Sequence, residues 1–326
     1  MDVHPDRPAL TNPPRFSEPS LFWQKLGEQH AADLDRYGLD AIKRHQALRY
    51  FTWSWSWSSL RESRQMRFLL RRSSPSAIGR CLFQPAGLAD RDWEGVAWNR
   101  RDRWLYVFAT RLLWEYARKH DTLGVLSLAE PDIGSPLPVR WRGRLISQDL
   151  ANSALEATAI ARALEGVRPR SVIEVGAGYG RTAYALLHAF PDATYTIVDI
   201  EPALSISKWY LEQLFPPHRL RFVGPDEAES LREGSADLAV AVSSLHEMTN
   251  DQVARYLDLF DRVAADGRVY SKQWKCWTNP EDGITLDFGA YPIPSRWRLL
   301  FDESAPVQTN FRQAAWHVEQ PLATPA

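Results

Sequence analysis

The sequence predicts an α/β protein: a doubly wound, mostly parallel seven-stranded sheet behind a mainly helical, tryptophan-rich N-terminal domain. Three observations carry this expectation. From Arg170 onward, short β-branched or apolar segments alternate with helical ones, the pattern of a sheet covered on both faces. A glycine-rich turn follows the first of those strands. The preceding part of the chain lacks the alternation and holds nine of the fourteen tryptophans.

The elements follow in order. Residues 1–20 carry Pro5, Pro8, Pro13, Pro14 and Pro19 without an apolar signal-peptide core, and read as a loose arm. Residues 21–146 form the expected N-terminal domain, suited to a lid, substrate-selecting or oligomerisation role. Within it, Leu21 to Tyr50 has helical spacing broken at Gly27 and Gly38. Trp98 to His120 is a stronger helix, with Trp104, Tyr106, Val107, Phe108, Leu112, Leu113 and Trp114 on a broad apolar face. Between them, Trp53, Trp55 and Trp57 alternate, placing three indoles on one side if that segment is extended. Such rings serve core packing or ring stacking against a ligand. Leu126 to Trp141 reads as a Pro- and Gly-rich linker.

Residues 147–320 form the expected sheet domain. Ser147 caps a helix running to Leu164. Strands follow at 171–175, 194–199, 219–223, 237–242 and 268–273, with helices at 181–190, 202–214, 226–232 and 250–264 between them. Trp297 to Asp302 and Ala314 to Glu319 complete the sheet as an antiparallel hairpin. Cys276 to Ser295 reads as a loop that can form a lid, and 321–326 as a tail.

Bulk properties narrow the partners. Thirty-nine Lys and Arg nearly balance forty Asp and Glu, so no electrostatic pull toward nucleic acid or a membrane surface is expected. No apolar run reaches the roughly 18–20 residues of a membrane span. Cys81 and Cys276 make neither a disulfide framework nor a metal-ligand spacing, which fits a reducing cytoplasm and no bound metal. A small-molecule acceptor is expected, and a homodimer is possible.

The chemistry concentrates at Glu174-Val175-Gly176-Ala177-Gly178-Tyr179-Gly180-Arg181. In a doubly wound sheet, ligands bind beyond the carboxyl ends of the strands, where strand order reverses. Glycines let the backbone turn and approach a ligand closely. A dinucleotide loop, G-x-G-x-x-G, would need glycine where Arg181 stands, and a P-loop would need Lys followed by Ser or Thr. Asp199 lies about twenty residues on, the place of a carboxylate that accepts ribose hydroxyls. Ile200 can pack on a base, whereas Glu201 reads as a helix N-terminal charge.

The E-x-G-x-G-x-G spacing resembles the first motif of class I S-adenosylmethionine-dependent methyltransferases. The resemblance implies S-adenosylmethionine as cofactor, a Rossmann-like methyltransferase sheet, and contacts from Glu174, Gly176, Ala177, Gly178 and Gly180. Glu174 would then help place the methionine amino group. Asp226 stands where the family often holds the adenine amino group, and serves equally as a helix cap. Ser243, at the end of the fourth strand, joins the cofactor-binding candidates.

Ser243-Ser244-Leu245-His246-Glu247-Met248 puts His246 and Glu247 at the reaction end. A histidine titrating near 6.5 suits removal of a hydroxyl proton, and a neighbouring carboxylate can orient it or share the role. His246 is therefore the candidate general base. Tyr270-Ser271-Lys272-Gln273-Trp274-Lys275 should line the same rim, with Lys272 and Gln273 on substrate hydroxyls and Trp274 stacked on a ring. Tyr179 and Arg181 are further substrate-side candidates.

From about Ser147 to Val318 the chain resembles a bacterial family of sugar O-methyltransferases. The segments that carry this are 146–149, 173–181, 243–248 and 270–273. The resemblance implies methylation of a hydroxyl on a sugar or glycosylated small molecule, often in natural-product or polysaccharide biosynthesis. Methylation of an amine, as on an amino sugar, is the alternative. A non-catalytic cofactor-binding subunit is the reading from another class.

Overall fold

A computed structural model describes residues 19–44, 63–83, 93, 96 and 98–320. The proline-rich arm up to residue 18, the alternating tryptophans at 53–57 and the tail at 321–326 lie outside them.

The N-terminal part is helical: α1 (Leu21–Tyr37), α2 (Arg64–Arg72), α3 (Pro75–Phe83) and α4 (Arg100–Ala117). Asn99 caps α4 through two backbone N–H groups, and Gly38, at φ +73°, ends α1 with its N–H on the Leu34 carbonyl. Trp93, Trp114 and Trp141 are buried in the core, and Trp141 donates its indole N–H to Glu115 at 2.8 Å. Packing is therefore what those three rings do. The expected linker contains a two-residue ladder, β1 (Arg140–Trp141) against β2 (Arg144–Leu145).

Helix α5 (Gln148–Leu164) leads into the sheet, with Ser147 accepting from the Leu150 N–H as its cap. Such a cap contributes about 1 kcal/mol. The remaining elements are β3 (Ser171–Val175), α6 (Arg181–Ala189), β4 (Thr194–Val198), α7 (Ala203–Glu212), β5 (Leu220–Val223), α8 (Pro225–Ala228), β6 (Leu238–Val242), α9 (Asn250–Val263), β7 (Arg268–Trp274), β8 (Cys276–Thr278), β9 (Thr285–Asp287), β10 (Trp297–Ser304) and β11 (Phe311–Val318).

Seven strands form one sheet in the order β10-β11-β7-β6-β3-β4-β5. All neighbours from β7 through β5 are parallel, while β11 runs antiparallel to β7 and to β10. This is the doubly wound Rossmann-like sheet. Alternate residues supply its two faces: Leu238, Val240 and Val242 join the cluster with α4, α5 and α6, whereas Ala239 and Ala241 join the cluster with α9. The first cluster runs without a break from Leu105 and Ile146 to Leu150 and Val172, across the 146/147 boundary.

Two expectations change. The segment after β7 is not a plain loop, because β8 and β9 pair through a turn in which Asp282 accepts from Asn279 and Ile284. The polar Asn279-Pro280-Glu281-Asp282-Gly283 run hides those short strands in the sequence. The last strand starts at Phe311 rather than Ala314 and lies inside the sheet, leaving β10 at the edge.

The chain winds outward from β3 to β5 and then returns to β6 beside β3. The crevice between the ends of β3 and β6 is the switch point, so the glycine loop and the Ser243–Glu247 segment face each other there.

Candidate active site

A cavity of about 360 Å³ opens at this crevice. Its walls include Glu174, Gly176, Ala177, Gly178, Tyr179, Arg181, Asp199, Ser243, Glu247, Lys272 and Trp274, eleven of the residues singled out from sequence. A smaller apolar recess of about 50 Å³ adjoins it, lined by Ile200, Met248 and Tyr256 among others. Gly180, Asp226, His246 and Gln273 line neither space.

The glycine loop is shaped by close approach. Gly176 has φ +74°, and a Cβ there would lie 2.3 Å from the Ser244 Cβ. Gly180 has φ +93° and abuts Leu211 on α7, which makes it a packing glycine at the start of α6. Asp199 ends β4 with its carboxylate accepting from the N–H of Gly178 at 3.1 Å and of Ile200 at 2.8 Å. Burial nevertheless pushes its pKa up to about 7. Glu174 is likewise raised to about 7 by burial, against the hydroxyl of Tyr195, which donates to it at 2.8 Å. Two buried carboxyls thus face the cavity, neither in an ion pair among the described residues, with Arg181 acting on Glu174 only at longer range. A ligand bringing an ammonium and hydroxyl donors would complete them.

At the other face of the cavity sits an ion cluster. Arg181 donates to Glu156 at 2.5 and 3.1 Å and to Ser153 at 2.9 Å, while Lys272 donates to Glu156 at 2.7 Å and to Gln308. Burial works to raise Glu156, but Arg181 and Lys272 together outweigh it and hold the carboxyl below its ordinary range. Tyr179 keeps its ring on the cavity but commits its hydroxyl to Asp149 at 2.8 Å.

At the reaction end, Glu247 lines the cavity with Trp23, Trp274 and Phe311. His246 stands behind it, 1% exposed, with its ring against those of Trp274, Trp277 and Phe311. Its Nε2 lies 3.6 Å from a Glu247 oxygen and its Nδ1 3.0 Å from the Gln273 amide oxygen. Burial pushes its pKa down to about 4, so the ring is neutral. Ser243 carries φ +57°, an uncommon backbone state for a residue with a Cβ, at the turn that aims this loop.

Three placements correct the sequence expectations. Gln273 does not line the cavity, because its amide is fully buried and bonded within the β6–β7 framework. His246 does not face the cavity, because aromatic rings enclose it. Asp226 lies on α8 away from both spaces, where it serves the helix N-terminus. Several wall residues escaped the sequence reading: Trp23, Glu156, Thr182, Gln308 and Phe311. A signal for Glu156 exists. Asp149, Asn152, Ser153 and Glu156 recur at i, i+3, i+4 and i+7 on an otherwise apolar helix, which marks a buried polar stripe.

Residues 173–269 match the family model described as a methyltransferase domain. This segment is a methyltransferase domain. The glycine cradle and the two buried carboxyls fit the cofactor of such a domain, S-adenosylmethionine, which brings an ammonium and ribose hydroxyls. Among solved structures, an O-methyltransferase family protein from Burkholderia thailandensis is similar at 14% identity and TM-score 0.40, over 53% of this chain and 58% of that one. The [4+2]-cyclase SpnF is similar at 16% identity and TM-score 0.42, over 54% and 84%. A geranyl diphosphate methyltransferase is similar at 12% identity and TM-score 0.41, over 53% and 80%. A search of curated proteins returns no match. Among the described residues, no helix is long and apolar enough to cross a membrane.

Proposed function

We propose that the chain is an S-adenosylmethionine-dependent O-methyltransferase acting on a hydroxyl of a sugar or glycosylated small molecule. The observation that carries this reading is Glu247 set among the cavity-facing rings of Trp23, Trp274 and Phe311. Aromatic faces stack on the apolar faces of sugar rings, and a carboxylate accepts from hydroxyls. The bound donor supplies an electrophilic methyl group. Glu174, Asp199 and the glycine loop hold and orient it, and Glu247, backed by His246, takes the proton that leaves the attacking hydroxyl. Positioning two reactants side by side in an enclosed space supplies much of the rate. Lys272 and Arg181 are fixed on Glu156, so we assign them to shaping the polar wall.

The test is incubation with labelled S-adenosylmethionine and a panel of hydroxylated sugars and their amino counterparts. Label in an O-methyl ether is expected. Label only on amines would overturn the O-selective reading.

A further inference from the structure

Gln273 was expected to touch substrate, yet it bonds entirely to the protein. Its Nε2 donates to the Ala241 carbonyl at 3.0 Å and to the Ser271 hydroxyl at 3.1 Å. A carbonyl only accepts, so this contact fixes which end of the amide is nitrogen. The Gln273 oxygen then faces three nitrogens: the backbone N–H of Ser244 at 3.1 Å, the backbone N–H of His246 at 3.4 Å, and His246 Nδ1 at 3.0 Å. An amide oxygen has no proton to give. Nδ1 must therefore carry the hydrogen, and the neutral ring leaves Nε2 as a bare acceptor. That bare nitrogen points at a Glu247 oxygen 3.6 Å away, and Glu247 is the member of the pair that lines the cavity.

From this geometry we propose that Gln273 is a positioning residue that locks His246 in the Nδ1–H tautomer, so that Glu247 is the group that accepts the substrate proton. The inference rests on the methyl-transfer reading of the site. In the step, the acceptor O–H bond breaks as the new O–CH₃ bond forms, the donor S–CH₃ bond breaks, and the proton moves to the Glu247 carboxylate. The protonated carboxyl then donates to Nε2, which holds it until solvent reclaims the proton. In the opposite tautomer an Nε2–H would donate to the carboxylate, stabilise its charge and make it a weaker base. The loss of the His246 charge by burial suits the same arrangement, since an imidazolium has no acceptor nitrogen to offer.

The experiment reads the tautomer directly. Nitrogen-15 imidazole spectra of the full-length, donor-free protein, with His246 assigned by comparison with His246→Asn, should show neutral Nδ1–H between pH 5.5 and 8. An Nε2–H tautomer, or an imidazolium at pH 7, would overturn the proposal. Gln273→Leu should switch the ring to Nε2–H, lower kcat about tenfold, and move the acid limb of the kcat profile about one pH unit lower. Acceptor KM should stay within twofold, because Gln273 does not touch substrate. Should the leucine variant fail to fold, Gln273→Glu keeps an acceptor on Nδ1 and should retain the tautomer while raising the imidazole pKa above 5. A switch to Nε2–H in that variant would also overturn the proposal. The wild-type spectrum needs no turnover, so failure of every methyl-transfer assay would refute the proposed function while leaving the tautomer assignment standing.

Discussion

The donor half and the reaction half of this cavity are built in different ways. The half we assign to the donor comes mostly from one run of chain, Glu174 to Ile200, and offers backbone N–H groups and two buried carboxyls. The reaction half draws Trp23 from α1, Glu247 from the loop after β6, Trp274 from β7, Gln308 from the β10–β11 turn and Phe311 from β11. The first is locally encoded and geometrically stiff. The second is assembled from four separate segments whose side chains can be exchanged one at a time. A chain built this way can keep its donor and change its acceptor.

Substitutions should separate the halves. The largest effect is expected at Glu247. Glu247→Gln keeps the size of the side chain but removes the proton acceptor, and kcat should fall about a hundred- to ten-thousandfold. The donor Kd, read by calorimetry, should stay within about threefold. A comparable loss of donor affinity would mean that Glu247 belongs to the donor half.

Gly176→Ala attacks the other side. The added Cβ would meet the Ser244 Cβ at 2.3 Å in a left-handed backbone state. Donor affinity should weaken about a hundredfold, roughly 3 kcal/mol. Because Ser244 carries the loop that holds Glu247, some loss of kcat should follow. Retention of wild-type donor affinity would show that the loop shifts freely and that the halves are less rigidly joined than their contact implies.

The pH dependence is the next effect in size. Glu174 and Asp199, each near pKa 7 through burial, hold protons at pH 6 that a cationic ligand would displace. Donor affinity should therefore rise with pH by about tenfold per group between pH 6 and 8, with proton release on binding. Stability runs the other way. Both folded pKa values exceed the unfolded ones of roughly 4, so the contribution to stability is full below pH 4 and lost as pH rises through 7. The gain in Tm on adding donor should consequently be larger at pH 8 than at pH 6. Glu174→Gln should remove about half of the pH dependence, and an unchanged slope would sink the assignment.

These contrasts also explain what could be read in advance. The strands β3 to β7 and their helices follow from short apolar, β-branched runs alternating with helical segments, and the glycine loop with Asp199 is a locally spaced signature. Gln273 and His246 misled because residue type and strand position say nothing about which side chain points into the crevice. Here the rings of Trp274, Trp277 and Phe311 enclose His246, and hydrogen bonds within the β6–β7 framework hold Gln273. Trp23 was illegible for another reason. It lies about 150 residues before the glycine loop, and nothing local to α1 reports that the helix lies over the sheet's crevice.

Trp23 gives the smallest expected effect and the finest test of the division. Its indole lines both the main cavity and the apolar recess beside Ile200. Helix α1 is held there by other groups: the Ser20 hydroxyl donates to the Glu247 carbonyl at 2.8 Å, Lys25 pairs with Glu281, and Phe22 meets Trp277 edge-on. Trp23→Ala should therefore leave the helix in place and remove only the shared wall. Donor Kd and acceptor KM should each rise about three- to tenfold, the scale of one partly buried aromatic contact, with little change in Tm. A rise confined to acceptor KM would place Trp23 wholly in the reaction half. A rise confined to donor Kd would make α1 a donor wall, leaving the acceptor to be selected by β7 and β11 alone.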